Sequence, residues 1–451
     1  MGQTVSMPLW LFLLIIAFAA VTFASHFLFP SVRWFFRRRA ERVVAQLNQR
    51  LAKPIEPFKL ARRHDMIQRL IYDPQVIAAV AEHAEAEGIP QNVAAEQAER
   101  YAREIVPSFS ATAYFSVGTR VARWLSRFLY RIRVGSFDRA TYGAVDRSAT
   151  MVFVMNHRSN LDYVLVTYLV ARASALSYAV GEWARVWPLS ALIRMMGAYF
   201  IRRRSRGMLY RRVLARYVQL ATRGGVTQAM FPEGGLSLDG KPGKPKLGLL
   251  SYIVSDFDPG DRDVIFVPVA LNYDRVIEDR ILIAASEAGE RRFRAPILQI
   301  LRNVCAYLWA RLRGRIDRFG EGVVSFGEPL SLSGFAQGKS TGSDAFTHTL
   351  GRELMARISA AVPVLPVPLV ARAILDGARG AGIEDAVTAL LETAGATGAP
   401  VPDRPVGEVV AEARKHLQQR RLISPDGEPA AASAPILAFY ANSIAHHLAT
   451  H

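Results

Sequence analysis

Cysteine is almost absent from the sequence, which has Cys305 alone among its 451 residues. A single cysteine cannot form a disulfide within the chain, and it cannot build a thiolate cage around a metal ion. Internal repeats and low-complexity stretches are also lacking. Because 51% of the residues are hydrophobic and 21% are charged, we expect a packed protein of about two to four domains, and not a disordered or fibrous one.

Acidic residues are in the minority, with 39 Asp and Glu against 56 Lys and Arg and a net charge of +17. The excess of basic residues lies in the first two thirds of the chain. Such a chain attracts anionic lipids, phosphorylated substrates or nucleic acids. Since no helix-turn-helix, zinc-finger or RNA-binding pattern is present, we expect no nucleic acid as a partner. A membrane-anchored anion-binding module is the remote alternative to an enzyme.

Charged residues are absent from 8–30. As a helix this run would be about 34 Å long, enough to cross the hydrocarbon core of a bilayer. Arginines follow between Arg33 and Arg42, which predicts that the body of the protein lies on the cytoplasmic face of the inner membrane. We therefore expect a membrane anchor with a basic flank over 1–42. A cleaved signal peptide is the alternative, but no basic residue precedes the run.

The segment 115–133 has the pattern of a basic amphipathic helix. Its apolar residues share one helical face, namely Val121, Trp124, Leu125, Phe128 and Ile132. Its arginines share an adjacent face, namely Arg120, Arg123, Arg127 and Arg131. Such a helix can lie on an anionic membrane surface, or it can bury its apolar stripe in the protein core. The sequence leaves both interpretations open.

Short β-branched or aromatic runs alternate with helical stretches from about residue 150 onward. Strands are predicted at 150–155, 198–201, 226–231, 264–271 and 323–326, and helices at 161–172, 207–223 and 296–313. The alternation predicts an α/β fold, a mixed sheet flanked by helices. We expect a helical region over 43–134, the α/β core over 135–332, and a helical C-terminal region over 346–451.

The segment NHRSNLDY (156–163) follows a predicted strand and carries His157 and Asp162. A neutral imidazole can take a proton from a hydroxyl group as that group attacks a carbonyl. A carboxylate against the ring fixes its tautomer and stabilises the imidazolium. Five residues correspond to about 140° around a regular helix, so His157 must lie in the turn before the helix for the two side chains to meet.

Three further segments have residue types suited to an anion. GAYFIRR (197–203) ends in arginines that can donate bidentate hydrogen bonds to phosphate. FPEGGLSLDGK (231–241) places a carboxylate before two glycines, whose backbone can approach a ligand closely. VIFVPVALNYD (264–274) is a buried strand whose internal Pro268 suggests an edge strand or a bulge. A solvated basic turn, a tight turn and an ordinary strand are the structural alternatives.

The order and spacing of these four segments resemble those of the glycerolipid acyltransferases, and within that superfamily the membrane-bound bacterial glycerol-3-phosphate acyltransferases. The likeness extends to RYAREIVPSF (100–109), VVSFGEPLSL (323–332) and FYANSIAHHL (439–448). It covers most of the chain from residue 100 to residue 448 and implies the α/β core of that superfamily.

The resemblance implies an enzyme that moves a fatty acyl group from acyl-CoA or acyl-carrier protein to the sn-1 hydroxyl of glycerol 3-phosphate. The product would be lysophosphatidate for phospholipid synthesis, and no bound cofactor or metal is implied. His157 would be the general base and Asp162 its orienting partner. Arg202 would bind the phosphate of the acceptor, and Glu233 with Gly234 would position the acceptor or stabilise the oxyanion. The residues expected to bind substrate are Asn156, Arg202, Arg203, Glu233, Gly234, Ser237 and Lys241.

The third segment departs from the pattern of those relatives, which carry arginines where this chain has Leu236 and Leu238. Lys241, Lys244 and Lys246 follow, but a lysine is a point charge and lacks the bidentate geometry of a guanidinium. A different acceptor for the same chemistry, such as a lysophospholipid or lysophosphatidate, is therefore the alternative.

Overall fold

The computed structural model describes residues 7–171, 173–181, 189–202, 207–289, 309, 313 and 318–449, apart from the side chains of 20–37, 40 and 189. Contacts group the chain into two units, Met1–Ile55 and Glu56–His451.

The first unit consists mainly of one long helix, α1 (Leu9–Arg50). Of the helices in the described part of the chain, none is both long enough and apolar enough to cross a membrane. The predicted span 8–30 falls largely within α1, and its side chains from residue 20 onward lie outside the described residues. The membrane-crossing helix that the sequence predicts is therefore not confirmed.

The second unit is built on a mixed sheet, which has eight strands among the described residues. The strands are β1 (Arg131–Val134), β2 (Thr150–Met155), β3 (Ser177–Gly181), β4 (Tyr199–Ile201), β5 (Gln228–Met230), β6 (Val264–Tyr273), β7 (Glu321–Phe326) and β8 (Leu330–Ser331). Their order is β1-β7-β6-β2-β5-β3-β4, and β8 also pairs with β6. β7 and β8 run antiparallel to β6, whereas β2 runs parallel to both β5 and β6.

Helices cover both faces of this sheet. Those before β2 are α2 (Pro57–Leu60), α3 (Arg63–Ile71), α4 (Pro74–Glu87), α5 (Gln91–Ile105), α6 (Thr119–Leu129) and α7 (Arg139–Gly143), with a π-helical turn at Ala113–Gly118. Those between β2 and β7 are α8 (Asp162–Val170), α9 (Leu189–Met195), α10 (Met208–Arg223), α11 (Gly248–Val254) and α12 (Asp279–Glu287). The C-terminal ones are α13 (Leu332–Ala336), α14 (Asp344–Ala360), α15 (Pro366–Leu375), α16 (Gly382–Ala396), α17 (Val406–Gln419), α18 (Ala434–Ala441) and α19 (Ala445–Leu448).

Successive side chains of β2 enter two different apolar clusters, because neighbouring residues of a strand point to opposite faces. Phe153 and Met155 pack in the cluster that includes α8, α15 and α18. Val152 and Val154 pack in the cluster that includes α4, α5 and α10. The sheet is therefore buried on both faces, which is why its strands are nearly continuous apolar runs in the sequence.

The five strands predicted from the sequence are all present, with ends that differ by at most two residues. Two predicted helices are confirmed as α8 and α10. The third, 296–313, lies outside the described residues except at positions 309 and 313. The α/β fold with a mixed sheet between helices is confirmed.

The segment 115–133 is not one continuous helix, contrary to expectation. α6 ends at Leu129, and Tyr130 has an extended backbone. Arg131–Val134 then forms β1, which pairs in parallel with β7. The residues of this short strand fall by coincidence on the same apolar and basic faces that a longer α6 would have. The pattern of the sequence therefore could not distinguish the strand from a continuation of the helix.

The expectation that Pro268 marks an edge strand or a bulge is also wrong. β6 lies inside the sheet, between β2 on one side and β7 with β8 on the other. Pro268 falls between Phe266, which pairs with β8, and Val269, which pairs with β7. The missing N–H of proline is tolerated there because the antiparallel partner changes at this position.

The parallel pairing of β2 with β5 brings two of the four segments together. β2 ends at Met155, just before His157, and β5 ends at Met230, just before Glu233. Because parallel neighbours end at the same edge of a sheet, both segments emerge side by side.

Candidate active site

His157 and Asp162 face each other across the turn between β2 and α8. The His157 Nδ1 lies 3.0 Å from the Asp162 Oδ2, and both side chains are buried. Asp162 is the first residue of α8, and His157 lies in the turn before it, as the sequence predicts. The geometry that a general base with an orienting carboxylate requires is therefore present.

The carboxylate of Asp162 accepts hydrogen bonds on both oxygens. Its Oδ2 also accepts from the backbone N–H of Arg158 at 2.7 Å and of Ser159 at 3.0 Å. Its Oδ1 accepts from the Tyr273 hydroxyl at 2.7 Å. Because backbone N–H groups can only donate, Asp162 Oδ2 acts as an acceptor, and His157 Nδ1 must carry the shared proton. The other ring nitrogen, Nε2, is then free to accept a proton.

Tyr273 is a site residue that the sequence analysis did not single out. It ends β6, the strand paired with β2, and its side chain is fully buried. Burial raises the pKa of Tyr273 well above its usual value, and the adjacent Asp162 raises it further. The signal available in the sequence was its place in the fourth segment, VIFVPVALNYD.

Aromatic rings surround the imidazole. The Phe231 ring stacks on the His157 ring with centroids 3.9 Å apart, and Tyr163 contacts its edge at 5.6 Å. His157 is only 2% exposed. Two cavities of the described residues lie elsewhere, one beside α10 and α11 and the other around Ile423. In this structure the imidazole is therefore almost wholly buried.

Glu233 joins the third segment (231–241) to the first segment (156–163) through a hydrogen bond. Its Oε1 accepts the backbone N–H of His157 at 3.0 Å, and its Oε2 accepts that of Gly243 at 2.8 Å. Burial raises the pKa of Glu233 to about 7, while the two backbone donors and Arg158 oppose this rise. In this arrangement Glu233 positions the backbone of the general base. Direct contact of Glu233 with an acceptor, as the resemblance implies, stays a prediction.

The two glycines of the third segment form a turn against a lysine. Gly234 has a φ of +66°, a conformation that favours glycine, and a Cβ there would lie 2.7 Å from the Lys246 Cδ. The Ser237 N–H donates to the carbonyl of His157 at 2.9 Å, and the Ser237 hydroxyl donates to the carbonyl of Lys241 at 2.7 Å. The structure thus gathers Gly234, Ser237 and Lys241 into one loop attached to the first segment.

Asn156 completes the pairing of β2 with β6. Its side-chain amide donates to the carbonyl of Leu271 at 2.9 Å and accepts the N–H of the same residue at 2.8 Å. The side chain therefore replaces a backbone partner at the point where β2 ends, and it holds the chain entering His157 against the sheet.

Arg158 is a buried cation between the catalytic turn and the C-terminal region. Its guanidinium donates to the carbonyl of Gly240 and lies 4.8 Å from the centre of the Phe439 ring. Burial lowers the pKa of Arg158, and the nearby Asp162 and Glu233 oppose this effect. The segment FYANSIAHHL (439–448) therefore packs, through Phe439, against the residue next to the general base.

The second segment contributes Arg202 at the end of β4. Its guanidinium makes a bidentate ion pair with Glu104 of α5 and lies 5.2 and 5.4 Å from the ring centres of Tyr101 and Tyr210, respectively. This ion pair raises the pKa of Arg202 above its usual value. Phosphate binding by Arg202 stays a prediction, and Arg203 lies outside the described residues.

In the described part of the chain, no three His, Cys, Asp or Glu side chains lie close enough together to bind a metal ion. The chemistry that the described residues support is proton transfer by His157, oriented by Asp162.

Comparisons with known proteins agree with this site. Residues 139–272 match the family described as Acyltransferase, and residues 308–451 match the Glycerol-3-phosphate acyltransferase C-terminal region. The first match contains the catalytic turn and the second contains Phe439. The resemblance to the glycerolipid acyltransferases is therefore confirmed over these two regions, and the C-terminal match is to the glycerol-3-phosphate acyltransferases.

Relatives named glycerol-3-phosphate acyltransferase occur in Pseudomonas. The protein of Pseudomonas putida is 28% identical over 373 residues, which cover 79% of this chain and 44% of the relative. That of Pseudomonas fluorescens is 27% identical over 439 residues, which cover 91% and 51%. The chain thus spans about half the length of these relatives. The 1-acyl-sn-glycerophosphate acyltransferase PlsC of Thermotoga maritima is a solved structure with 19% identity and a TM-score of 0.33, covering 55% of this chain and 76% of that one.

Proposed function

We propose that this chain transfers a fatty acyl group from acyl-CoA or acyl-carrier protein to the sn-1 hydroxyl of glycerol 3-phosphate, giving lysophosphatidate for phospholipid synthesis. The observation that carries the proposal is the 3.0 Å contact between His157 Nδ1 and Asp162 Oδ2. The names of the Pseudomonas relatives support glycerol 3-phosphate as the acceptor.

The reaction follows from the tautomer of His157. Its Nε2 takes the proton of the acceptor hydroxyl while the oxygen attacks the thioester carbonyl. The tetrahedral intermediate expels the thiolate, which takes the proton back from the imidazolium, so the products are an ester and a free thiol. Asp162 stabilises the imidazolium between these two steps, and no other co-reactant is needed.

A second acceptor is favoured by one observation in the third segment. Leu236 and Leu238 are partly buried and pack against the apolar cluster that contains Phe231. Two apolar side chains therefore lie where the relatives named in the sequence analysis carry guanidinium groups. A lysophospholipid or lysophosphatidate, which brings its own acyl chain, is the alternative acceptor.

Contact with an anionic membrane surface is part of the proposal, and α6 supports it. Ala122, Ser126 and Leu129 form its buried face. Val121 and Trp124 are 53% and 54% exposed on a different face. The apolar stripe predicted from the sequence is thus divided, since Leu125 and Phe128 pack partly against the core.

The charge of α6 fits the same surface. Its arginines, namely Arg120, Arg123 and Arg127, are exposed. An exposed apolar face beside a row of arginines suits a helix lying on anionic lipid. We propose that the enzyme works at the cytoplasmic face of the inner membrane, where lipid acceptors and products are held.

An acceptor panel tests the function. The full chain is incubated with one labelled acyl-CoA, or with labelled acyl-carrier protein, and with glycerol 3-phosphate, lysophosphatidate or a lysophospholipid in turn. Saturable formation of sn-1 lysophosphatidate supports the first acceptor. Product from a lysophospholipid or lysophosphatidate alone replaces it with the alternative, and no acyl transfer to any acceptor would overturn the proposed function.

A further inference from the structure

The hydroxyl of Tyr273 occupies a special position beside the catalytic pair. Within the described residues it is the one donor to Asp162 Oδ1, at 2.7 Å, whereas Asp162 Oδ2 has three donors. Tyr273 and Asp162 are 111 residues apart and both fully buried, so this bond joins the end of β6 to the start of α8.

We propose that Tyr273 is a positioning residue for proton transfer, acting on His157 through Asp162. This inference rests on the proposed acyl transfer. The hydroxyl has two effects on the carboxylate: it fixes the rotation of the group, and it takes up part of the negative charge that faces the imidazole.

The positional effect follows from the different hydrogen-bond donors of the two carboxylate oxygens of Asp162. The loop N–H groups of Arg158 and Ser159 hold Oδ2, which is the oxygen that His157 needs. Without the phenol, Oδ1 would be buried without a donor, which costs free energy. The carboxylate would then no longer be fixed in one rotation, so the imidazole that it orients would hold the productive position less often and kcat would fall.

The electrostatic effect has a definite sign. Tyr273 stays protonated and donates throughout the working pH range, since burial raises its pKa well above the usual value. A hydrogen bond from a neutral donor stabilises the carboxylate and weakens its hold on the imidazolium. Loss of the hydroxyl therefore strengthens the hold of the Asp162 carboxylate on the imidazolium.

Tyr130 offers a matched comparison. It is a second buried tyrosine whose ring lies 5.1 Å from that of Tyr273. Its hydroxyl donates to the carbonyl of Arg275 at 2.6 Å, whereas the Tyr273 hydroxyl donates to Asp162. Removing either hydroxyl leaves a buried phenylalanine and takes one donor from an acceptor, but only Asp162 belongs to the pair with His157.

The experiment compares Tyr273→Phe with Tyr130→Phe in the full chain. For Tyr273→Phe we expect a loss on the order of tenfold in kcat with a smaller change in KM, as for other groups that orient a catalytic side chain. The acid limb of the pH profile of kcat/KM should move up by roughly half a unit to one unit. Tyr130→Phe should leave that limb in place.

A second replacement reverses the sign and guards against loss of folding. Incorporating 3,5-difluorotyrosine at position 273 keeps the shape and makes the phenol a stronger donor, so the acid limb should move to lower pH. In the Asp162→Asn background, Tyr273→Phe should cause little further loss. An unmoved limb in both Tyr273 replacements, or an equal loss in the Asp162→Asn background, would overturn the inference.

One readout does not depend on acyl transfer. The Nδ1–H proton of His157 should give a low-field NMR signal that is lost in Asp162→Asn. It should move in Tyr273→Phe but not in Tyr130→Phe. If the wild type acylates no acceptor, the proposed function fails while this signal still tests the contact, and an unchanged signal in Tyr273→Phe would reject the positioning role.

Discussion

Arg202 and Glu104 are joined by two hydrogen bonds, 2.9 Å from Nε to Oε1 and 2.7 Å from Nη2 to Oε2. The Glu104 side chain is 6% exposed and that of Arg202 is 36% exposed. An arginine that the family resemblance assigns to phosphate thus also ties the end of β4 to α5. The ion pair with Glu104 and the expected binding of phosphate predict different results for the same substitution of Arg202.

Arg202→Met should lower the free energy of unfolding by roughly 1–3 kcal/mol, because it removes the guanidinium that pairs with the mostly buried Glu104 carboxylate. Chemical denaturation measures this loss. Arg223→Met is the control, since Arg223 pairs with Asp256 but is 50% exposed, and its loss should stay below about 1 kcal/mol. A large rise in KM for the acceptor with unchanged stability would show that Arg202 acts on the ligand alone.

Stability should depend on pH through Glu233. Burial raises the pKa of Glu233 to about 7 from a usual value of 4.5. A carboxyl group whose pKa is raised by folding contributes stability that is complete below about pH 4.5 and lost as the pH rises through 7. The unfolding free energy of the wild type relative to Glu233→Gln should therefore fall by about 2 kcal/mol between pH 5 and 8.

Denaturation curves of both proteins at the two pH values check this expectation. Glu328→Gln serves as the control, since its carboxylate is 78% exposed and should give no such difference. A wild-type unfolding free energy that stays constant or rises relative to that of Glu233→Gln between pH 5 and 8 would contradict the assignment.

Gly240 should be intolerant of a side chain. Its φ is +90°, and a Cβ there would lie 1.9 Å from the carbonyl oxygen of Phe439, which is backbone and cannot swing away. Gly240→Ala should therefore lower the unfolding free energy by more than about 2 kcal/mol. Gly248→Ala, where a Cβ meets nothing within 4 Å at the start of α11, should be neutral or stabilising. Equal stability of the two variants would mean that the C-terminal segment does not pack on the third segment.

Membrane contact through α6 can be measured with vesicles. Val121→Ser with Trp124→Ser should weaken sedimentation with anionic vesicles about tenfold, because two exposed apolar side chains are removed. Replacing Arg120, Arg123 and Arg127 by Gln should weaken it mainly at low salt.

The control for the α6 variants is the double variant Ile77→Ser with Val93→Ser, which replaces exposed apolar residues on α4 and α5. These substitutions should leave vesicle binding unchanged. Binding by the α6 variants that equals that of the wild type would remove this helix from the membrane proposal.

The sequence predicted the sheet well because its strands are buried on both faces. The run TMVFVM at 150–155 is too short for a typical helix and has the length of a strand. The structure accordingly has β2 at Thr150–Met155. β3 was missed because Ser177–Gly181 contains small and polar residues with no alternation to detect. β1 was missed because its arginines continue the pattern of α6.

The sequence predicted the pair of His157 and Asp162, but it did not predict the hydrogen bonds that hold this pair in place. His157 and Asp162 are five residues apart, so their meeting depends on one local turn. The bonds of Asp162 to Tyr273 and of His157 to Glu233 join residues 111 and 76 positions apart, respectively. Such contacts depend on strand order across the sheet, which no local pattern encodes.

The most direct test of the account is the rate of acyl transfer from a labelled acyl thioester to glycerol 3-phosphate by His157→Ala. We expect a loss on the order of 10²–10⁴-fold with the fold intact, because the general base alone is removed. His348→Ala, at an exposed histidine of α14, should keep the wild-type rate. Full turnover by His157→Ala would contradict the assignment of His157 as the base.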